Sequence, residues 1–194
     1  MRFDEAEHAY YTDAGLRVPS ITQLLERAGV VNDLWFTEES SARGTAVHAL
    51  TAQFDLGALD PADCVSKFRG YLLAYCAATN ILKLADGLQI LTVEEPAIHP
   101  TLGFGGRPDR TIVLQKKHAL HGVLEVKSGA PMKSHPIQTA LQSLLVADGM
   151  RLPPESLARF CLYIRDKGKF TLIEHRERRD FDEARRIVRT CCGS

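Results

Sequence analysis

Between Gly106 and Gln142 the chain sets out, in order, side chains suited to holding a hard cation and a phosphate. Gly106-Arg107-Pro108-Asp109 puts an acid after a proline, Leu124-Glu125-Val126-Lys127 puts an acid and a lysine two apart in an apolar run, and Gln138 and Gln142 lie four apart. Side chains alternate along a strand, so Glu125 and Lys127 share a face with Val123, while Leu124 and Val126 share the other. A carboxylate and an ammonium among apolar neighbours are costly unless something compensates them. A divalent cation and a phosphodiester would. Alone, a Glu-x-Lys reads better as an ion pair on an exposed strand, because motifs this short match by chance.

The second acid changes the balance. Pro108 cannot donate to a ladder and belongs at a strand edge or bend. A strand over Asp109–Leu114, joined by the polar Lys116-Lys117-His118 to a strand over Leu120–Lys127, brings Asp109 and Glu125 together if the two are antiparallel neighbours. Paired carboxylates repel unless a cation is present. Hard divalent ions take oxygen ligands, polarise phosphoryl oxygens and acidify bound water. Lys127 would lie near that water or near the charge developing at phosphorus. Taken singly, Asp109 reads better as a cap of the bend after Gly-Arg-Pro. Gln138 and Gln142 share a helix face. They could donate to phosphate oxygens or orient the carboxylates, or be ordinary surface glutamines. Of seven histidines, His48 has the fitting context: Arg43-Gly44-x3-His48 sets a glycine and an imidazole on one helix face.

The elements that must position these residues follow from pattern. Phe3–Arg17 reads as a hairpin around Asp13-Ala14-Gly15, and Ser20 caps a short helix to Ala28 with Gly29 as its stop. Glu38 to about Leu56 reads as a helix stopped by Gly57. Asp60-Pro61 opens another to about Thr79, with Val65, Phe68, Leu72 and Tyr75 as its apolar stripe. Strands are predicted at Gln89–Ile98, Asp109–Leu114 and Leu120–Lys127. A helix capped by Ser134 or His135, with Pro136 in its first turn, then runs to Gly149. A hairpin over Arg159–Arg165 and Phe170–His175 and a helix from Asp180 complete an α/β core with a mixed sheet flanked by helices.

The set Arg43-Gly44-x3-His48, Glu94, Gly106-Arg107-Pro108-Asp109, Glu125-Val126-Lys127 and Gln138-x3-Gln142 resembles the PD-(D/E)xK nuclease superfamily, in its RecB-type and phage-exonuclease branch. Phe3-Asp4-x3-His8-x-Tyr10 and Val18-Pro19-Ser20-Ile21-Thr22 resemble the start of stand-alone phage members. The resemblance covers nearly the whole chain and implies a restriction-endonuclease-like fold as a single domain over residues 1–194. It implies that His48, Asp109, Glu125 and the Val126 carbonyl bind Mg²⁺ or Mn²⁺, and that Lys127 acts on the nucleophilic water. It makes Glu94 the accessory acid, with Glu95 a one-residue alternative that would face the other way. It also implies DNA as substrate, end-directed cleavage in recombination or repair, a homo-oligomeric ring and a single-strand-annealing or recombination partner. The family often carries Gln-x3-Tyr; here the second position is Gln142. Two alternatives stand beside an exonuclease: a structure- or site-specific endonuclease of the same superfamily, and a non-catalytic module that binds nucleic acid or docks a partner.

Composition is compatible with this. A chain of 194 residues, 45% hydrophobic, can bury a core. No uncharged apolar run approaches the ~20 residues of a membrane helix, and Met1–Glu5 lacks a signal-peptide pattern, so a cytoplasmic place in a bacterial or phage-infected cell is expected. The five cysteines argue against a disulfide framework and lack the local spacing an iron–sulfur cluster favours. Cys64 and Cys76 are expected on a helix. Net charge is zero, 24 basic against 24 acidic residues, so no global field favours nucleic acid. Arg43, Arg107, Arg110 and Lys133 lie near the expected site and are the candidate phosphate contacts. The basic tip Arg165–Lys169 and the arginines from Arg176 to Arg189 could track phosphates or form a solvated face.

Overall fold

Glycine- and proline-punctuated apolar runs become short strands here, and the longer runs of helical period become helices. A computed structural model describes residues 2–31, 37–115 and 119–193. β1 (Arg2–Asp4), β2 (Ala9–Tyr11) and β3 (Arg17–Val18) form a small antiparallel meander, followed by α1 (Ile21–Arg27), α2 (Glu38–Asp55) and α3 (Arg69–Asp86). Then come β4 (Leu88–Val93), β5 (Ala97–Ile98), β6 (Gly105–Gly106), β7 (Arg110–Leu114), β8 (Leu120–Lys127), α4 (Ser134–Met150), β9 (Ala158–Ile164), β10 (Phe170–Glu174) and α5 (Arg178–Cys192).

The result is an α/β fold around a five-stranded mixed sheet of order β10-β9-β8-β7-β4. Only β8 and β9 run parallel, with Glu125 opposite Cys161 and Lys127 opposite Tyr163. Parallel neighbours need a crossover, and α4 supplies it. One face of the sheet is apolar: Leu88, Ile112, Leu124, Val126, Phe160, Leu162 and Ile164 pack with Val47 of α2 and Ala74, Tyr75 and Ala78 of α3. Each of the larger aliphatic and phenyl side chains, fully buried, contributes roughly 1.5–3 kcal/mol. On the other side α4 lies on β8 and β9, and its Ala140, Leu141, Leu144 and Leu145 pack with Leu24 of α1, Phe104 and Phe181 of α5. The alternation of β8 therefore sends Leu124 and Val126 into one core and Glu125 and Lys127 towards α4. No helix among the described residues is long and apolar enough to cross a membrane.

Gly122 of β8 stands opposite Ala158 of β9. A Cβ there would sit 2.5 Å from the Ala158 carbonyl oxygen, a backbone atom that cannot swing aside. Gly122→Ala is expected to cost about 1–3 kcal/mol of overpacking, read as a lower denaturant midpoint at unchanged slope.

The structure corrects several expectations. The third helix starts at Arg69, not Asp60, and runs on to Asp86. Asp60 instead accepts the Ala62 N–H in a turn, so Cys64 lies outside the helix and Val65, fully exposed, lies outside the apolar stripe. Gln89–Ile98 is not one strand. β4 ends at Val93, Glu94 takes a left-handed conformation at φ 48°, and β5 pairs with β6 in a separate ribbon. Gly149 does not end α4; Arg151 does, in the left-handed region at φ 55°. Neither Ser134 nor His135 is its cap: the helix starts at Ser134, after Lys133, without a side-chain cap bond. The N-terminal hairpin is a three-stranded meander, and α5 begins at Arg178 rather than Asp180. The Lys116–His118 connection lies outside the described residues.

Candidate metal and phosphodiester site

The C-terminal end of β8 holds the first half of the site. Glu125, only 3% exposed, faces α4, whose residues 138 and 142 come round on one helical face. Gln138 Nε2 donates to Glu125 Oε1 at 2.7 Å, and Gln142 Nε2 donates to Oε2 at 2.6 Å. Lys127 Nζ donates to the same Oε1 at 2.8 Å and to Gln138 Oε1 at 3.0 Å. Glu125, Lys127 and Gln138 thus form a closed triangle. Burial opposes the Lys127 charge, but the carboxylates of Glu125 and Asp109 outweigh it and hold the ammonium above its ordinary pKa. The Gln142 Oε1 is buried without a partner.

The second half comes from α2, the β4 exit and the residue before β7. Asp109 accepts the Val126 N–H at 2.7 Å through Oδ2, and its Oδ1 lies 3.2 Å from His48 Nδ1. Burial alone would raise the Asp109 carboxyl; His48, Lys127 and the Val126 amide together leave it below its ordinary value. The same carboxylate raises His48 to about 9 against the effect of burial. Glu94 completes the group: His48, Glu94 and Asp109 each offer a ligand atom, all within 4.8 Å of one another. It is Glu94, not the exposed Glu95, that turns inward. Its N–H still bonds the Asp109 carbonyl at 3.0 Å, so the left-handed kink redirects the side chain without breaking the ladder.

Arg110 is not a phosphate contact. It is completely buried, with Nε 2.5 Å from Asp55 Oδ2, one terminal nitrogen donating to Thr51 Oγ1 at 3.2 Å and the other to the Asp109 carbonyl at 2.6 Å. Tyr75 of α3 donates its hydroxyl to the same Asp55 oxygen at 2.5 Å. This cluster ties α2 and α3 to the backbone beside Asp109. Sequence reading missed Asp55 and Thr51, and placed Tyr75 only in an apolar stripe. The available signal was the spacing of His48, Thr51 and Asp55, a polar stripe on one face of α2.

The other candidate cations take different places. Arg107 lies 3.4 Å from Glu94 and lines a cleft of about 430 Å³ with Tyr10, Gln23, Gln138 and Gln142. Arg43, whose Nε is buried and unpartnered, lines a second cleft of about 470 Å³ with His48, Lys127, His135 and Gln138. Gln138 lines both. Lys133 is exposed and lines neither. In the C-terminal region Arg176, Arg185 and Arg186 pair with Glu174, Glu155 and Glu183, which favours a solvated face there.

His135 of α4 was not anticipated beyond a possible cap. Its ring Nδ1 faces the Met132 N–H at 3.2 Å and the Tyr163 hydroxyl at 2.8 Å. Burial, with the charge of Lys127 nearby and that of His175, lowers it from 6.5 to about 3. A depressed histidine contributes stability that is whole above its unfolded value and is lost as pH falls through the folded one. The melting temperature of the wild type, relative to that of His135→Asn, is therefore expected to decline from pH 6.5 towards 3, which thermal scans across that range would read directly.

No family model matches this sequence. No curated protein matches it significantly either. Among solved structures, the chain aligns with LHK-Exo in complex with dAMP over 91% of its length and 86% of that chain, at 15% identity and a TM-score of 0.43. It aligns with SSO0001 over 89% and 83%, at 15% identity and a TM-score of 0.38. The chemistry of the site rests on its own geometry.

Proposed function

We propose that this chain is a divalent-metal-dependent deoxyribonuclease of the PD-(D/E)xK type, a single nuclease domain that hydrolyses phosphodiesters from DNA ends in recombination or repair, as phage-type exonucleases do. One observation carries the reading: the His48–Glu94–Asp109 group meets the Glu125–Lys127–Gln138 triangle through Asp109, which bonds the amide between Glu125 and Lys127. The donor set fits the ion. An imidazole nitrogen, its proton displaced by the ion, with carboxylate oxygens suits Mg²⁺ or Mn²⁺, the imidazole favouring Mn²⁺. A carboxylate offers about four lone-pair sites; Glu125 uses three of them here, so it can still contribute a ligand. His48, Glu94 and Asp109 would hold the ion, with Glu125 and the Val126 carbonyl beside them.

When bound, the ion supplies an acidified water and neutralises charge at phosphorus. The protein's own groups do the rest. Lys127, kept charged by two carboxylates, donates to the attacking oxygen or to the phosphoryl oxygens rather than taking a proton. Gln138 holds the ammonium in place, and Gln142 fixes the second oxygen of Glu125. Arg43 and Arg107, one in each cleft, would grip the strand on either side of the scissile bond. Ring assembly and an annealing partner belong to the same reading and are tested by light scattering with and without DNA.

The test compares linear with closed-circular DNA in Mg²⁺ or Mn²⁺, with EDTA and Asp109→Asn as controls. Loss of linear DNA alone, abolished by either control, is the expected result. Cutting of circles would move the reading to an endonuclease. Binding without cleavage of DNA would sink the deoxyribonuclease reading.

A further inference from the structure

His135 occupies the cleft yet has no part in the chemistry described so far. It is 7% exposed, lies on the first turn of α4 and lines the cleft that also holds Lys127, His48 and Arg43. Its ring is held from one side. The Met132 amide can only donate, so Nδ1 must accept, at 3.2 Å; the Tyr163 hydroxyl reaches the same nitrogen at 2.8 Å, and the two rings lie tilted with centroids 5.6 Å apart. In the neutral imidazole an accepting Nδ1 forces the proton onto Nε2, which is then a donor only. That Nε2–H has no partner among the described hydrogen bonds. Nor is Nε2 fully buried without a partner, so it meets solvent on a ring that lines this cleft. A polar hydrogen fixed in a cleft, facing away from its anchors, is placed to donate to water or to a ligand oxygen that displaces the water.

We infer that His135 is a substrate-binding residue whose Nε2–H donates to a phosphate oxygen of the DNA strand lying in the Arg43–Lys127 cleft. The inference rests on the nuclease reading and adds to it an uncharged contact. Lys127 and Arg43 already bring positive charge to this cleft. A neutral donor adds direction and leaves counterion release unchanged. Its loss should therefore weaken binding without altering the salt dependence.

The imidazole has two edges that substitution can separate. In His135→Asn the side-chain amide stands where Nδ1 takes the Met132 N–H, and nothing reaches the cleft. In His135→Gln the amide stands where Nε2 was, and the bond to Met132 is lost. The dissociation constant of a labelled oligodeoxynucleotide duplex, measured by anisotropy in Ca²⁺ over a range of salt, is read beside the melting temperature of each protein. His135→Asn is expected to bind roughly threefold to tenfold more weakly, one neutral hydrogen bond's worth, with an unchanged salt slope and a near wild-type melting temperature. His135→Gln is expected to bind close to wild type while melting lower. Wild-type affinity in His135→Asn would reduce His135 to an anchor for the Met132 loop and overturn the inference alone. Equal weakening in both variants would also overturn it. A wild-type protein that binds no DNA would overturn this inference and the nuclease reading together.

Discussion

Lys127→Met should lower the rate of DNA cleavage by about 10²–10⁴-fold, the range lost with a group that handles a proton or charge in the transition state. The side chain keeps its length and apolar stem, so the strand end remains packed. What goes is the charge shared between Glu125 and Gln138. Both oxygens of Glu125 keep a glutamine donor, so the carboxylate is not orphaned and the fold should survive. The His48–Glu94–Asp109 group does not include Lys127, so Mn²⁺ affinity, followed by calorimetry, should stay within a few-fold of wild type. Single-turnover cleavage at saturating metal separates the two effects. A loss of less than tenfold would remove Lys127 from the chemistry and leave it a structural counterion to Glu125.

Asp55→Ala should have the largest effect on stability. Arg110 is completely buried and its guanidinium depends on Asp55, with Thr51 and the Asp109 carbonyl filling its remaining reach. Removing one member of a buried ion pair strands the other and costs about 3–5 kcal/mol. At roughly 2–4 °C per kcal/mol for a chain of this size, a melting scan would show it plainly. Tyr75 loses its acceptor in the same change. Replacing both charges, as in Asp55→Leu with Arg110→Met, should recover much of the loss, since apolar pairs often substitute well for buried ion pairs. Because Arg110 also holds the Asp109 carbonyl, the double variant should regain stability before it regains activity. A single variant as stable as the wild type would mean that water reaches Arg110.

What the sequence made legible was what local spacing dictates. Glu125 and Lys127 fall on one face because strands alternate; Gln138 and Gln142 fall on one face because helices turn every 3.6 residues. Those periods pair Glu125 with Lys127 and Gln138 with Gln142; the packing of α4 on β8 then sets Lys127, Gln138 and Gln142 around one carboxylate. Arg110 was misplaced for the opposite reason. Its partner is 55 residues away in the chain, and no local pattern distinguishes an arginine facing solvent from one facing a distant aspartate. The start of α3 was misread because Asp-Pro serves a tight turn as well as a helix start, and tertiary packing chose the turn. The break after β4 was hidden because left-handed backbone at a glutamate, unlike at glycine, leaves no compositional mark. Arg151 hid the end of α4 in the same way.

The kink at Glu94 has a wider meaning. A non-glycine residue held at φ 48° carries about 1–3 kcal/mol of conformational strain that the rest of the fold must offset. An extended residue there would be the more comfortable choice and would leave its carboxylate pointing elsewhere. On the proposed function, the chain gives up thermodynamic margin at this position to aim one oxygen. Screening substitutions at residue 94 for thermal tolerance alone would select glycine or asparagine, and would enrich for proteins that are sturdier and catalytically poorer.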